Sequence, residues 1–252
     1  MFRLASGSST HRPHGLRRHI EVTNRLAANA APAIRDFIRA WTSPAAPPFV
    51  PEICLHTADE VFPLWKQTVE MWELDDAMMP FWAFAWSGGQ GLARFVLDRP
   101  EIVDGLPVVD LGAGSGLLSM AALLAGAAEV RAVEQDPIAQ EVIRLNAALN
   151  GLPPPHISSV LEPALARRAV ILAGDTFYDA DTRTRLGSAV AKAAEVAEAV
   201  LLGDAGRGYL PPWNLKTLAE YDVPVMGAVE DGVTRPVTVW RLEESPRASA
   251  PR

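Results

Sequence analysis

The sequence predicts a doubly wound α/β fold, and three observations carry that prediction. Short unbroken apolar runs recur through the middle of the chain, as expected of parallel strands buried on both faces. Helical patterns separate those runs, which is the alternation of a parallel sheet. A glycine-rich turn joins the first run to the helix after it. At 252 residues the chain suffices for one such domain with a full core and is too short for two with linkers. Hydrophobic residues make up 49% and charged residues 21%, ordinary globular usage that excludes wholesale disorder.

Each element follows in order. Residues 1–20 hold Arg3, Arg12, Arg17 and Arg18 with no acid before Glu21. Disordered leaders and organellar transit peptides share that composition, and a disordered leader is expected. Residues 21–41 set Leu26, Ile34, Phe37 and Ile38 among Ala, Asn and Arg, a helical pattern. The Pro-rich stretch 43–51 breaks it, so 21–50 reads as a helical extension and linker, with the main domain over 51–242. Trp65, Trp72 and Trp82 follow, and rings of that size need a core or a binding wall. Residues 88–97 predict a helix opening on a glycine turn. Strands are expected at 106–111 and 130–133, with helices at 117–124 and 137–149. Two more strands, 170–173 and 200–202, flank an Ala-rich helix over 184–196. Runs 223–229 and 236–242 enclose Glu230, Asp231 and Gly232, a hairpin signal with an Asp-Gly turn. Residues 243–252 read as a flexible tail.

Charge and composition exclude several functions. The net charge of −7, with Lys and Arg dispersed, offers no basic stripe for a phosphate backbone, so nucleic acid is not an expected partner. Cys54 is the only cysteine, which rules out an internal disulfide and a cysteine-based zinc site. His11, His14 and His19 lie in the leader, while His56 and His156 stand alone, so no metal is expected. No apolar run approaches the roughly 20 residues needed to span a bilayer, and no membrane is expected. The cytoplasm is the expected compartment, or the mitochondrial matrix if the leader is a transit peptide.

Three clusters at the ends of strands carry chemistry. Asp110, Gly112, Gly114 and Gly116 form a turn from strand into helix, with Leu117 where a dinucleotide fold has its third glycine. The turn lets backbone approach a ligand closely. An acid just before it suits a cationic ligand, and S-adenosylmethionine brings both an ammonium and a sulfonium. Glu134 ends the next strand, 24 residues after Asp110, where an acid accepts ribose hydroxyls. Asp136 before Pro137 caps the following helix, and surface or helix-end roles suffice for Asn146 and Asn150. Asp175, Phe177 and Tyr178 follow the fourth strand, a carboxylate and two rings fit for a long aliphatic stem ending in an amine. Asp175 is expected to orient that amine first and to accept a proton second.

On these residues, and on the stretches from Pro80 to Gln90, Gly174 to Tyr178 and Leu202 to Arg207, the chain resembles the seven-strand protein-lysine methyltransferases, in particular those acting on the beta subunit of electron transfer flavoprotein. The likeness runs from Pro51 to Leu242. It implies a Rossmann-like sheet of seven strands with the last antiparallel, S-adenosylmethionine as donor, and that beta subunit as protein partner. It also implies that Trp86, Gly88 and Gln90 lie against the methionine part of the donor. Asp110 and Gly112 would sit near its amino group, Glu134 on the ribose, and Asp175 and Tyr178 before the incoming lysine. Glu162 is the candidate for the adenine amine, although Arg167 and Arg168 stand where an acid is usual. Alternative acceptors are another protein, such as a ribosomal protein, or a small amine; a cofactor-binding scaffold without catalysis is the alternative of another class.

Overall fold

The computed structural model of the chain describes residues 31–72, 79–162, 166–225, 230 and 232–243. The leader expected over 1–20, residues 21–30 and the tail beyond Glu243 lie outside them. Helix α1 (Ala31–Trp41) buries Ile34, Phe37 and Ile38, one stripe at helical spacing. Strands β1 (Ser43–Ala45) and β2 (Leu55–Thr57) pair antiparallel, and α2 (Val61–Trp72) follows with Pro63 in its first turn, where no amide donor is missed. Helix α3 (Ser87–Asp98) leads into the sheet region.

There, β3 (Pro107–Leu111), α4 (Leu117–Leu124), β4 (Glu129–Val133), α5 (Pro137–Leu149) and β5 (His156–Ser158) build one half. The other half comprises β6 (Val170–Gly174), α6 (Ala180–Ala194), β7 (Ala199–Asp204), β8 (Leu215–Pro224) and β9 (Thr234–Leu242). The seven strands β3 to β9 lie in the order β5-β4-β3-β6-β7-β9-β8. β3 to β7 are parallel, β9 runs antiparallel to β7, and β8 pairs antiparallel with β9. Chain order reverses between β3 and β6, and a crevice opens at such a switch point beyond the carboxyl ends.

Alternate strand residues feed two cores, as the period of two requires. Val108, Val130, Leu172 and Leu201 pack under α3 and α4. Val109, Leu111, Ile171 and Leu202 pack under α6. α4 is apolar all round because it is enclosed, with Leu117 to Ala122 all buried. The first turn of α3 lies directly on strand backbone. A Cβ at Gly203 would collide with the Gly88 carbonyl, and one at Gly174 would sit 2.6 Å from the Gly89 Cα.

α1 joins the domain by packing on Ile138, Ala139 and Val142 of α5 and by an Arg35–Glu141 ion pair at 2.7 Å. Asn146 and Asn150, one turn apart on α5, complete the attachment. Asn146 accepts from the His56 N–H and donates to the Ser115 carbonyl, each at 2.8 Å. Asn150 accepts from the Cys54 N–H at 2.8 Å and donates to its carbonyl at 2.7 Å. Asn150 is the C-cap of α5, the helix-end role expected for it, whereas the expectation is corrected for Asn146, which is fully buried within the helix.

The alternation expected between 88 and 204 is present in order. α6 starts four residues early because Asp179 and Thr182 cap it reciprocally, Thr182 N–H donating to the Asp179 carboxylate at 2.7 Å. The hairpin is present but its first strand is Leu215–Pro224, not 223–229, of which 226–229 lie outside the described residues. That strand is the sheet edge, alternates in burial, and so lacks the apolar run on which the expectation rested. Among the described residues no helix is long and apolar enough to cross a membrane.

Replacing Asn146 by Ala strands a buried N–H and a buried carbonyl, each worth about 1–3 kcal/mol. Denaturant unfolding is expected to register a loss of roughly 2–4 kcal/mol; a loss under about 0.5 kcal/mol, the scale of ordinary surface changes, contradicts the bridging role.

Candidate active site

A cavity of about 240 Å³ opens at the carboxyl edge of the sheet, at the switch point between β3 and β6. Its wall comes from the turn after β3, the end of β4, the segment after β6, the turn at Phe81–Ala83 and Arg207 after β7. The turn after β3 depends on its glycines, since Gly112, Gly114 and Gly116 adopt φ of 69°, 52° and 79°, the left-handed region that other residues avoid. A Cβ at Gly112 would also press on Thr176 at 3.1 Å. Thr176 holds that turn by donating to the Leu111 carbonyl at 2.9 Å.

One side of the cavity is acidic. Asp110 is 1% exposed, and its Oδ2 accepts from the Ser119 N–H at 2.9 Å and hydroxyl at 2.7 Å. Glu134 accepts from the Gly114 N–H at 2.8 Å and, through its other oxygen, from the Asp136 N–H at 2.9 Å. Asp136 caps α5 as expected, accepting from the Ile138 N–H at 2.8 Å. Burial, and then the charge of Glu134, push Asp136 up to about 7. Burial drives Asp110 to about 7 as well, opposed by its Ser119 hydrogen bonds and reinforced by Glu134. Burial also raises Glu134. Three carboxyls thus crowd one wall, and mutual repulsion makes a cation welcome there.

Another part of the lining is aromatic. Phe81 stands 5.1 Å from the Tyr178 ring and 5.6 Å from the Trp86 ring, and the Trp86 indole N–H donates to the Phe81 carbonyl at 2.9 Å. Burial, then Asp179, raise the Tyr178 phenol above its ordinary 10, so it is neutral at neutral pH. Beneath these rings Asp175 holds φ at 50°. Its Oδ2 accepts from the Gly88 N–H and from the Gly89 N–H at 3.2 Å, and its Oδ1 meets the Arg207 guanidinium at 2.7 Å. Burial pushes this carboxyl up, and Arg207 is the main force opposing that rise.

Of the residues singled out from the sequence, Trp86, Asp110, Gly112, Gly114 and Glu134 line the cavity, as do Asp175 and Tyr178. Gly88, Gln90, Gly116 and Phe177 stand behind the wall. Gln90 is fully buried, donating to the Ala85 carbonyl at 2.7 Å and accepting from the Phe49 N–H at 3.2 Å. Gly116 packs on Ile143. Phe177, expected on the acceptor side, is 2% exposed and packs edge-on against Trp213 at 5.4 Å in the core under α6. Its neighbour Tyr178 lies on the other side of the chain, at the cavity wall. Glu162 is exposed and outside the wall. Trp82, expected in a core or a binding wall, lines the cavity, while sequence reasoning missed Phe81, Arg185 and Arg207 as wall residues. The aromatic run at 81–86 was their best signal; nothing local marks Arg207, whose partners lie 23 and 32 residues away.

S-adenosylmethionine fits this chemistry. It carries two cationic centres for the acidic wall and a carboxylate acceptor. Trp82, a wall residue, holds a buried indole N–H with no hydrogen-bond partner among the described residues. An orphaned donor of that kind is costly unless a ligand satisfies it.

Comparison with known proteins agrees with the site. Residues 96–173 match the family model described as ribosomal protein L11 methyltransferase (PrmA). The chain is 34% identical to the electron transfer flavoprotein beta subunit lysine methyltransferase of Xenopus laevis, over 90% of this chain and 97% of that protein. It is 33% identical to the protein of that name from Homo sapiens, over 84% of this chain and 83% of that one. A Caenorhabditis elegans homolog is 36% identical over 69% of this chain and 81% of its own length. With a seven-strand sheet, an acidic cavity at its switch point and identity of this extent, the chain belongs to the electron transfer flavoprotein beta subunit lysine methyltransferase family and is an S-adenosylmethionine-dependent methyltransferase.

Proposed function

We propose that the chain methylates a lysine side chain of a protein, and that the protein is the beta subunit of electron transfer flavoprotein. The observation that carries this reading is the likeness to methyltransferases of that name over nearly their whole length. The aromatic mouth formed by Phe81, Trp86 and Tyr178 supports it, since an aliphatic stem packs against rings while its nitrogen reaches inward.

The residues divide the work. Glu134 takes the ribose hydroxyls on the lone pairs left by Gly114 and Asp136. Asp110 and Gly112 face the amino group, Gly114 and Gly116 shape the turn, and Trp86 flanks the methionine part. Gly88 and Gln90 act from behind, through the fit of α3 on the sheet. Tyr178 and Phe81 guide the stem, and Asp175, expected from the sequence to orient the amine and accept its proton, instead orders the acceptor side, because Gly88, Gly89 and Arg207 already occupy its oxygens. S-adenosylmethionine supplies an electrophilic methyl carbon, so the protein's task is alignment, worth up to about 7–11 kcal/mol. A free lysine has a pKa of about 10.4, and presenting it neutral at pH 7 costs on the order of 4–5 kcal/mol. Burial among rings reduces that cost. The reading places the enzyme in the cytoplasm, or in the mitochondrial matrix should residues 1–20 be a transit peptide.

A second acceptor, ribosomal protein L11, is favoured by the family model. That match covers 96–173, the donor half of the site, and includes none of Phe81, Trp86, Asp175, Tyr178 or Arg207.

Incubation with labelled S-adenosylmethionine is expected to place label on lysine of the flavoprotein beta subunit and not on ribosomal protein L11; the reverse pattern overturns the assignment. Glu134→Ala is expected to raise the donor Kd at least about tenfold, the loss of one charge-assisted hydrogen bond, with turnover at saturating donor little changed. Unaltered affinity by calorimetry contradicts the ribose role. Asp110 and Asp136, at about 7 when folded against an ordinary 3.8, stabilise the donor-free protein below pH 4 and lose that contribution as pH rises to about 7. The rise in Tm on adding S-adenosylmethionine is therefore expected to grow between pH 5.5 and 7.5, and an equal rise at both ends counts against an acidic donor wall.

A further inference from the structure

Glu230 lies between β8 and β9, far in sequence from every wall residue, yet its side chain is 1% exposed. It accepts from the Ser87 N–H at 3.1 Å, from the Ser87 hydroxyl at 2.8 Å and from the Arg207 guanidinium at 2.9 Å. Arg207 donates through Nε to Asp175 at 2.7 Å, lies 5.1 Å from the centre of the Trp86 ring, and faces the cavity. The first turn of α3 has no side-chain cap of its own. Its Ser87, Gly88 and Gly89 N–H groups are met instead by these two distant carboxylates, which one guanidinium joins. Such an arrangement is more than a surface ion pair, since Asp175 and Glu230 are both buried and a buried pair is lost only at high cost.

A free carboxylate beside the acceptor would hold lysine as the unreactive ammonium. An opposite charge within about 4–6 Å raises an amine's pKa by about 1–3 units. Here Asp175 has both oxygens engaged before any acceptor arrives, and the most exposed group of the triad is the cation, Arg207, which lines the cavity with 19% of its side chain exposed against 6% for Asp175.

We infer that Arg207, clamped by Glu230, withholds Asp175 from the incoming lysine so that the amine is delivered uncharged, which makes Arg207 an acceptor-side residue and Glu230 its positioning residue. This rests on the lysine reading above. The entering ammonium gives one proton to solvent. Its nitrogen lone pair then forms the N–C bond as the C–S bond breaks, the bonding pair returns to sulfur, and the product is a methylammonium. The other charged or titratable groups around the triad are Arg235, 3.9 Å from Glu230, and Asp110, Glu134, Asp136, Tyr178 and Arg185 on the cavity wall.

The test is kcat/KM for the protein acceptor between pH 6.5 and 9.5, at saturating donor, in the wild type and in Arg207→Gln, Arg207→Lys and Glu230→Gln. With Asp175 released, Arg207→Gln is expected to lose at least about tenfold at pH 7, the effect of one pKa unit on the neutral fraction, and to recover most of that loss at pH 9.5. Arg207→Lys should restore much of the rate at pH 7, and Glu230→Gln should shift the profile in the same direction by less. Donor Kd is expected to change by a factor that does not vary with pH, since the triad touches the proposed donor side only through Trp86. A loss by the same factor at every pH, or none, overturns the inference, as does an unshifted Glu230→Gln profile should Arg207→Gln not fold. Absence of lysine methylation by the donor-bound wild type would instead refute the function on which the inference rests.

Discussion

The seating of α3 on the bare backbone of β6 and β7 is the constraint from which the site follows. Three glycines, Gly88, Gly174 and Gly203, remove the side chains that would hold helix and sheet apart. The helix then arrives with its donors pointing at the strand ends. Those donors must be satisfied, because unpaired buried N–H groups are expensive. Asp175 meets two of them and Glu230 a third. The two acids in turn need a cation, and Arg207 supplies it. A close packing contact thus dictates a charged network, and the network fixes the acceptor side of the cavity.

The donor side obeys a different logic. Asp110, Glu134 and Asp136 are held by backbone N–H groups and the Ser119 hydroxyl, and among the described residues none of the three forms an ion pair. The acids remain mutually repelling and partly starved of solvation, a state that a cationic ligand relieves. The same cavity therefore has one wall electrically satisfied and one not. That asymmetry supports the direction proposed for the site, with the donor on the unsatisfied wall and the acceptor on the aromatic, pre-paired one.

Much of this was legible in the sequence wherever the physics is local. Buried parallel strands announce themselves as apolar runs, and β3, β4, β6 and β7 do so. The glycine turn, Glu134 and the Asp136 cap are set by neighbours a few residues away. What was not legible depends on distant partners. Phe177 and Tyr178 are adjacent rings, yet one packs on Trp213 in the core and the other lines the cavity beside Phe81. Asn146 looks like a helix-surface residue until β2 is placed against it. Glu230 reads as a turn acid because nothing nearby reveals Ser87 or Arg207. The edge strand β8 hides for the opposite reason, its exposed alternation resembling a loop.

The central claim is that donor and acceptor meet between the acidic and aromatic walls. A crystal structure of the protein with S-adenosylhomocysteine tests it most directly. The account predicts the ribose against Glu134, the amino group by Asp110 and Gly112, and the sulfur facing the opening between Phe81 and Tyr178. A ligand bound with its sulfur turned from those rings, or lodged away from the turn after β3, would contradict it.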